Sequence, residues 1–203
     1  MKSRAKKARK KVLLFAPQGF EDIELAAFTN ILGWTRVLKE VMSVDLVITG
    51  FKRNICSKHN LIIKAHQLIK EINPNDYQAL IIPGGFNDAG YTEVYNKKVL
   101  ELIKKIYKKG GIIAAMCVGS LAVARTGILT NKKATTYSAS KRHDNLNILQ
   151  DCGAIPVKER IVVTDRIITN RGPDTAIEVA FKLLEILNGK KDAKKIKKAM
   201  MFE

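Results

Sequence analysis

Cysteine is scarce in this chain. The 203 residues include three cysteines, Cys56, Cys117 and Cys152, and no two of them form a CxxC pair. An odd number of widely spaced cysteines excludes a disulfide framework and a cysteine-ligated zinc site. The simplest compartment for such a chain is a reducing one, so we expect a cytoplasmic protein without a metal.

Long apolar runs and phosphate-binding glycine motifs are also missing. No run approaches the about eighteen consecutive apolar residues that a membrane-spanning helix needs, so no membrane partner is expected. The apolar stretch behind the basic N-terminus is only as long as a strand, which argues against a secretory signal. Neither GxGxxG nor GxxxxGK[ST] occurs, so no nucleotide phosphate loop and no cofactor are predicted.

Acidic residues are few, and the net charge of +17 is concentrated at the chain ends. The first eleven residues carry seven Lys or Arg, and residues 190–198 carry six Lys and one Asp. We interpret residues 1–10 as a disordered basic tail and 190–203 as a solvated basic extension, around a single domain over 11–189. Basic tails can bind nucleic acid, but no aromatic platform or recognition motif supports this partner, so it is not favoured.

What the sequence does contain is an alternation of short apolar runs with stretches of helical periodicity. We predict buried strands over residues 11–16, 43–49, 79–82 and 111–116, with short strands in 50–66 and a hairpin within 154–170. We predict helices over residues 21–40, 99–109, 119–125, 139–151 and 173–188. This order predicts an α/β fold with a doubly wound, mainly parallel sheet and helices on both faces.

Four unusual turns follow predicted strands. They occupy residues 18–22, 83–85, 117–119 and 170–173. In open α/β sheets, ligands bind outside the carboxyl ends of the strands. We therefore predict that these four turns converge on one crevice.

Cys117 lies between a buried strand and a helix, within IIAAMCVGSLAVA at residues 112–124. An apolar run ends abruptly at the cysteine, and an Ala-rich stretch with helical spacing follows. This pattern predicts a strand–turn–helix elbow that presents a nucleophilic sulfur to the crevice. We expect the first N–H groups of the helix to favour the thiolate, which is the reactive form.

Three acids, Glu21, Asp22 and Glu24, follow the first strand. Acids at a helix start complement the helix dipole, which is their simplest role. One of them could instead point into the crevice, where burial and a nearby thiolate would keep it protonated as a donor to the sulfur. The sequence does not choose among the three.

Glycine backbone groups and histidine side chains are the other candidate partners of the sulfur. Gly84 and Gly85 follow Pro83, either as a simple β-turn or as a backbone that offers N–H groups as an oxyanion hole. The histidines are His59, His66 and His143, and none lies at a predicted strand end beside Cys117. A Cys–His protease triad is therefore not predicted.

Several segments together resemble the ThiJ/PfpI superfamily, and its deglycase branch in particular. They are KVLLFAPQGFEDIELAAF, LIIPGGFNDAG, AAMCVGSLAVA and TNRGPDTAIEVAFKLLEILNG, in colinear order across residues 11–189. The resemblance implies a flavodoxin-like fold, a homodimer and no cofactor. It also implies a cysteine-dependent stress-response function on a small reactive carbonyl, of the glyoxalase or deglycase type.

The resemblance also implies roles for individual residues. Cys117 matches the elbow cysteine, and Glu24 matches a buried, protonated glutamate that hydrogen-bonds it. The backbone amides expected to hold an oxyanion belong to Gly84, Gly85 and Val118. The remaining residues expected around the pocket are Glu21, Tyr137, Arg171, Gly172 and Pro173.

The sequence departs from the family pattern at two positions. Tyr137 stands where the deglycase branch often has a histidine, and tyrosine, with a pKa near ~10, is a poor base at neutral pH. Val118 stands where the protease-like branch has a histidine, so peptidase activity is not expected. Whether the chain is an enzyme is therefore open at this point.

Two other functions remain as alternatives. The same cysteine could serve a non-catalytic redox sensor or chaperone-like protein, because an acidic, accessible thiol oxidises readily to sulfenic and sulfinic acid. The crevice could also belong to a module that binds a small ligand without turnover, with the basic tails holding nucleic acid.

Overall fold

The computed structural model describes residues 9–140 and 143–202. Its strands are β1 Lys10–Phe15, β2 Val44–Gly50, β3 Asn54–Cys56, β4 Ile62–Lys64, β5 Gln67–Leu68, β6 Ala79–Ile82, β7 Ile112–Ala115, β8 Lys133–Ala134, β9 Ile155–Pro156, β10 Ile161–Thr164 and β11 Ile167–Asn170. Its α-helices are α1 Asp22–Val37, α2 Lys97–Lys108, α3 Gly119–Ala124, α4 Asn145–Asp151, α5 Ala176–Asn188 and α6 Lys190–Ala199. Among the residues described, no helix is long and apolar enough to cross a membrane.

A seven-stranded sheet forms the centre of the molecule, in the order β10-β11-β7-β6-β1-β2-β5. All neighbouring strands are parallel except β10 and β11, which form an antiparallel hairpin at one edge. The predicted doubly wound, mainly parallel α/β fold is therefore confirmed. Two shorter pairs, β3 with β4 and β8 with β9, lie outside this sheet.

The apolar strands are explained by burial on both faces of the sheet. In β1, Val12 and Leu14 pack into one hydrophobic cluster with α1, α5 and α6. Leu13 and Phe15 point the other way, into a second cluster with α2, α3 and α4. Because successive side chains alternate between the faces and both faces are covered, the strand reads as a continuous apolar run.

Two predicted helices begin later than expected. The helix predicted over 139–151 starts only at Asn145, because the Asp144 carboxylate caps it by accepting the N–H of Asn147 at 3.1 Å. Residues 141–142 of that prediction lie outside the described residues. The last predicted helix begins as a 3₁₀ turn over Pro173–Thr175 before α5.

The expectation of a solvated C-terminal extension is wrong for most of its length. Residues Lys190–Ala199 form α6, which packs against α5 and α1 and buries Ala193 and Ile196. The Asp192 carboxylate also accepts the N–H of Met42 at 3.0 Å. Two apolar residues three positions apart give this lysine-rich helix one buried side, and most of the lysines lie on its other sides.

At the other end of the chain, Lys10 of the predicted basic tail already belongs to β1, and its ammonium group donates to the carbonyl of Leu187. Residues 1–8 of that tail lie outside the described residues. Lys10 therefore contacts the end of α5, three residues before α6 begins.

The packing of α6 predicts a stability effect. Ile196→Ala should lower the free energy of unfolding by about 2–4 kcal/mol, because it removes buried methyl groups from a packed site. Lys194→Ala, on the exposed side of the same helix, should change it by less than about 0.5 kcal/mol. Urea unfolding followed by circular dichroism measures both, and equal small effects would contradict the packing of α6.

Candidate functional site

The structure brings the four predicted turns together at the carboxyl ends of the strands. The N–H of Glu21, after β1, donates to the carbonyl of Gly84, after β6, at 2.9 Å. The N–H of Cys117, after β7, donates to Oδ1 of Asn170, at the end of β11, at 2.7 Å. A Cβ on Gly84 would lie 2.7 Å from the Cβ of Cys117, so the two turns are in direct contact.

Cys117 occupies a strained elbow. Its φ is +51°, in the left-handed region that non-glycine residues rarely adopt. Its carbonyl accepts from the hydroxyls of Ser120 at 2.8 Å and Thr136 at 3.0 Å. With its N–H bound to Asn170, the cysteine is held by hydrogen bonds on both sides, which maintains the conformation that presents the sulfur.

Asn170 is a positioning residue that the sequence analysis did not single out. Its fully buried side chain donates to the carbonyl of Gly172 at 2.8 Å and to the Thr175 hydroxyl at 2.6 Å. The same amide therefore ties the Cys117 elbow to the turn before α5. In the sequence, the only indication of this role was a polar residue at the end of an apolar strand.

Glu24 is the acid that enters the site. Its side chain is fully buried, and Oε2 accepts the N–H of Gly84 at 2.6 Å. The pKa of Glu24 is raised to about 8, mainly because its carboxyl is buried. The charges on Glu21 and Asp174 act in the same direction, and the hydrogen bond from the Gly84 N–H acts against it. At neutral pH the Glu24 carboxyl therefore keeps its proton.

The other two acids of the first turn have different surroundings. Glu21 lines the cavity beside Cys117. Asp22 points away, and its carboxylate lies 2.8 Å from Nδ1 of His59. The ligand atoms of Glu21, Asp22 and His59 lie within 4.8 Å of one another, but such a surface group is common without a metal.

The surroundings of Cys117 act against the thiolate that the sequence analysis expects. Burial raises the pKa of the Cys117 thiol well above its usual range, and the Glu24 and Glu21 carboxyl groups act in the same direction when they are ionised. The Val118 N–H, which hydrogen-bonds the sulfur, lowers that pKa but does not offset the burial. The expected hydrogen bond from Glu24 to the sulfur is also not formed, since Oε1 of Glu24 has no hydrogen-bond partner among the described residues.

Not all of the backbone N–H groups predicted to form an oxyanion hole are available to a substrate. The Gly84 N–H is used by Glu24 and is not available to a substrate oxygen. The Gly85 N–H donates to none of the residues that the structure describes, and Gly85 and Val118 both line the cavity. A Cβ on Gly85 would lie 2.5 Å from the carbonyl oxygen of Gly19, so this close approach of two backbones requires glycine.

The cavity next to Cys117 has a volume of about 670 Å³. Its lining residues are Glu21, Gly85, Phe86, Asn87, Asp88, Tyr95, Cys117, Val118, Leu121, Arg125, Tyr137, Ser140, His143, Asn145, Ile148 and Pro173. Pro173 and Tyr137 thus lie where the sequence analysis expected them, and a Cβ on Gly172 would lie 3.7 Å from Cδ2 of Tyr137. Arg171 and Gly172 are not among the lining residues, and the Arg171 guanidinium pairs instead with Asp174 at 2.8 Å.

A histidine that follows no predicted strand also reaches the cavity. His143 is one of the lining residues, although it follows no strand. It precedes α4, in a segment that the periodicity had placed inside a helix. Only the late start of α4 leaves His143 in a loop that faces the cavity.

The buried Glu24 carboxyl predicts how stability depends on pH. Because its folded pKa of about 8 exceeds the unfolded value of 4.5, the native state binds the extra proton between these values. The free energy of unfolding should therefore fall as pH rises from 5 to 8, by on the order of 4 kcal/mol in total. Glu24→Gln should flatten this fall, because the amide oxygen still accepts from Gly84 and cannot ionise.

Urea unfolding at a series of pH values measures this dependence. Glu101→Gln, at an exposed position on α2, is the matched control and should keep the slope of the parent protein. If Glu24→Gln keeps that slope as well, the carboxyl does not carry its proton into the folded state.

Comparison with known proteins places this architecture in a family. A sequence model of the DJ-1/PfpI family matches residues 10–186. A protein named glutathione-independent glyoxalase DJR-1.2, from Caenorhabditis elegans, is 29% identical over 181 residues, 88% of each chain. A protein named deglycase from Pyrococcus abyssi is 28% identical over 164 residues, 80% of this chain and 90% of its own.

Solved structures agree with the sequence comparison at the level of the fold. The crystal structure of Drosophila melanogaster DJ-1beta matches with a TM-score of 0.81 at 22% identity, covering 96% of this chain and 98% of that one. The family match spans the strand, elbow and turns that hold Cys117, Glu24 and Asn170. By sequence and by fold, this chain belongs to the DJ-1/PfpI family.

Proposed function

We propose that this protein converts small 2-oxoaldehydes to 2-hydroxy acids through Cys117, as a cysteine-dependent defence against reactive carbonyls. The observation that carries the proposal is the Cys117 elbow, which opens on a cavity beside a buried carboxyl with a pKa of about 8. Relatives named for glyoxalase and deglycase activity support the same class of substrate.

The reaction needs no external oxidant or reductant. The sulfur attacks the aldehyde carbon, a C–S bond forms, and the former thiol proton ends on the carbonyl oxygen of a hemithioacetal. A hydrogen then moves from this carbon to the neighbouring ketone carbon, and the hydroxyl proton of the hemithioacetal passes to the ketone oxygen, which leaves the thioester of a 2-hydroxy acid. Water cleaves the thioester, releasing the 2-hydroxy acid and restoring the thiol, so the net change is addition of one water.

Glu24 is the proposed proton carrier. A group whose pKa lies near the operating pH can both accept and return a proton, and the pKa of Glu24, about 8, meets this condition. Its unpartnered oxygen, Oε1, is the atom still available for the transfer. Since the resting thiol is neutral, transfer of its proton accompanies the attack.

The Gly85 and Val118 amides are the proposed oxyanion donors. Both line the cavity, and backbone N–H groups fixed by the fold stabilise the charge that develops on the carbonyl oxygen. Tyr137 lines the same cavity, and its phenol can donate a hydrogen bond to a substrate oxygen. In this scheme Glu24 moves the protons, and no imidazole is required.

The direct test is lactate formation from methylglyoxal in metal-free buffer. Cys117→Ser should lower kcat/KM by at least about a hundredfold, because a serine hydroxyl is a far weaker nucleophile than a thiol. Cys152→Ser, which lies outside the cavity lining, is the control and should keep the activity. Absence of lactate above the buffer blank, or an unaffected Cys117→Ser variant, would refute the proposal.

A redox role of the same cysteine is favoured by one specific observation. Oε1 of the protonated Glu24 has no acceptor, and an oxygen on an oxidised Cys117 would provide one. Two equivalents of hydrogen peroxide convert a thiol to a sulfinic acid and two waters. We expect mild peroxide to add two oxygens at Cys117, detected by peptide mass spectrometry, whereas faster oxidation at Cys56 or Cys152 would contradict this role.

A further inference from the structure

Arg125 is a charged residue of the cavity that the proposed reaction does not use. It follows α3 directly and lines the cavity together with Tyr95. The guanidinium carbon lies 4.1 Å from the centre of the Tyr95 ring. Such stacking restrains an otherwise flexible side chain and leaves the edge of the guanidinium available for hydrogen bonds.

The Arg125 guanidinium has no carboxylate partner within residues 9–140 and 143–202. By contrast, Arg160, Arg166 and Arg171 each pair with an Asp or Glu. A guanidinium presents N–H donors in a planar fork that matches a carboxylate or a phosphate. The cavity wall therefore carries a cation whose hydrogen-bonding capacity is left for a ligand.

Arg125 and Cys117 both affect the pKa of Tyr95. Burial raises the pKa of the Tyr95 phenol, Arg125 lowers that pKa, and Cys117 raises it. Tyr95 is thus within electrostatic reach of both groups, in agreement with the shared cavity lining. A small molecule bound at the sulfur can therefore extend towards the guanidinium.

The other charged residues that line the cavity make its electrostatic potential differ from one side to the other. Glu21 lies near the sulfur, since its charge raises the pKa of Cys117. Asp88 also lines the cavity, but Lys58 pairs with it at 2.6 Å. An anionic group is therefore repelled on the Glu21 side and attracted on the Arg125 side.

We propose that Arg125 forms an anion subsite next to Cys117, which selects carbonyl compounds that bear a carboxylate or phosphate over neutral ones of similar size. The choice of a carbonyl substrate rests on the proposed function above. The subsite itself does not, because Arg125 and Cys117 line the same cavity whether or not a substrate is turned over.

Alkylation with a matched pair of reagents tests the subsite without turnover. Iodoacetate and iodoacetamide are close in size, and each forms an S–CH₂ bond with the thiolate as iodide leaves. Both consume the same thiolate, so the ratio of their rates at Cys117 does not depend on the pKa of the thiol. Arg125→Gln should lower the iodoacetate to iodoacetamide ratio by about threefold to tenfold, and Arg125→Lys by less.

The chain supplies its own controls. Cys56 and Cys152 are outside the cavity lining, so site-resolved mass spectrometry should show unchanged ratios there. Arg166, which also lies over a tyrosine, at 4.9 Å from the Tyr107 ring centre, is outside the lining as well, and Arg166→Gln should leave the Cys117 ratio unchanged. Added salt should lower the ratio of the parent protein and have less effect on Arg125→Gln.

A second measurement separates this inference from the proposed function. The parent protein and Arg125→Gln are compared with methylglyoxal, which is neutral, and with 4,5-dioxopentanoate, which carries a carboxylate. Loss confined to the anionic substrate supports the subsite. An unchanged alkylation ratio in Arg125→Gln overturns the subsite even if lactate forms, whereas a changed ratio without any turnover supports the subsite and refutes only the proposed function.

Discussion

The hydrogen bond between the Glu24 carboxyl and the Gly84 N–H organises the site. It joins α1 to the turn after β6, directly beneath the elbow that carries Cys117. The contact is so close that a Cβ on Gly84 would meet both the carboxyl oxygen, at 2.8 Å, and the cysteine. Because the Glu24 side chain is fully buried, the carboxyl is desolvated, and its proton affinity follows from its place in the fold.

This burial sets the chemistry of the sulfur. Burial raises the pKa of the Cys117 thiol, and the nearby carboxyl groups act in the same direction when they are ionised. In the reaction proposed above, reactivity then depends on moving a proton within the site. Glu24, with a pKa of about 8, is the group in the site that is suited to that transfer.

The charged residues near Cys117 are separate from the lysines of α6. Near the sulfur lie the acids Glu21 and Glu24, with Arg125 on the cavity wall. The lysines of α6 lie outside the residues that line this cavity, and the Lys10 ammonium of β1 contacts the carbonyl of Leu187 at the end of α5. The chemistry of Cys117 therefore depends on only a few of the charges of the chain.

Features that depend on short stretches of chain could be predicted from the sequence. The strands follow from apolar runs, the Cys117 elbow from a strand, a turn and a helix in succession, and the meeting of four turns from the parallel topology. The start of α4 and the existence of α6 were harder. They depend on the Asp144 cap and on the burial of Ile196 against distant helices, which no local periodicity reveals.

The sequence by itself determined the α/β fold, the position of the candidate nucleophile and the set of candidate acids, because these depend on contiguous residues. The family resemblance carried by the sequence also pointed to Glu24, and the structure confirms that its side chain is buried. Only the tertiary structure decided that Asn170 holds the elbow, that Arg125 and His143 face the cavity and that burial raises the pKa of the Cys117 thiol. Desolvation and long-range contacts set these properties, and both arise only when residues distant in the chain are packed together.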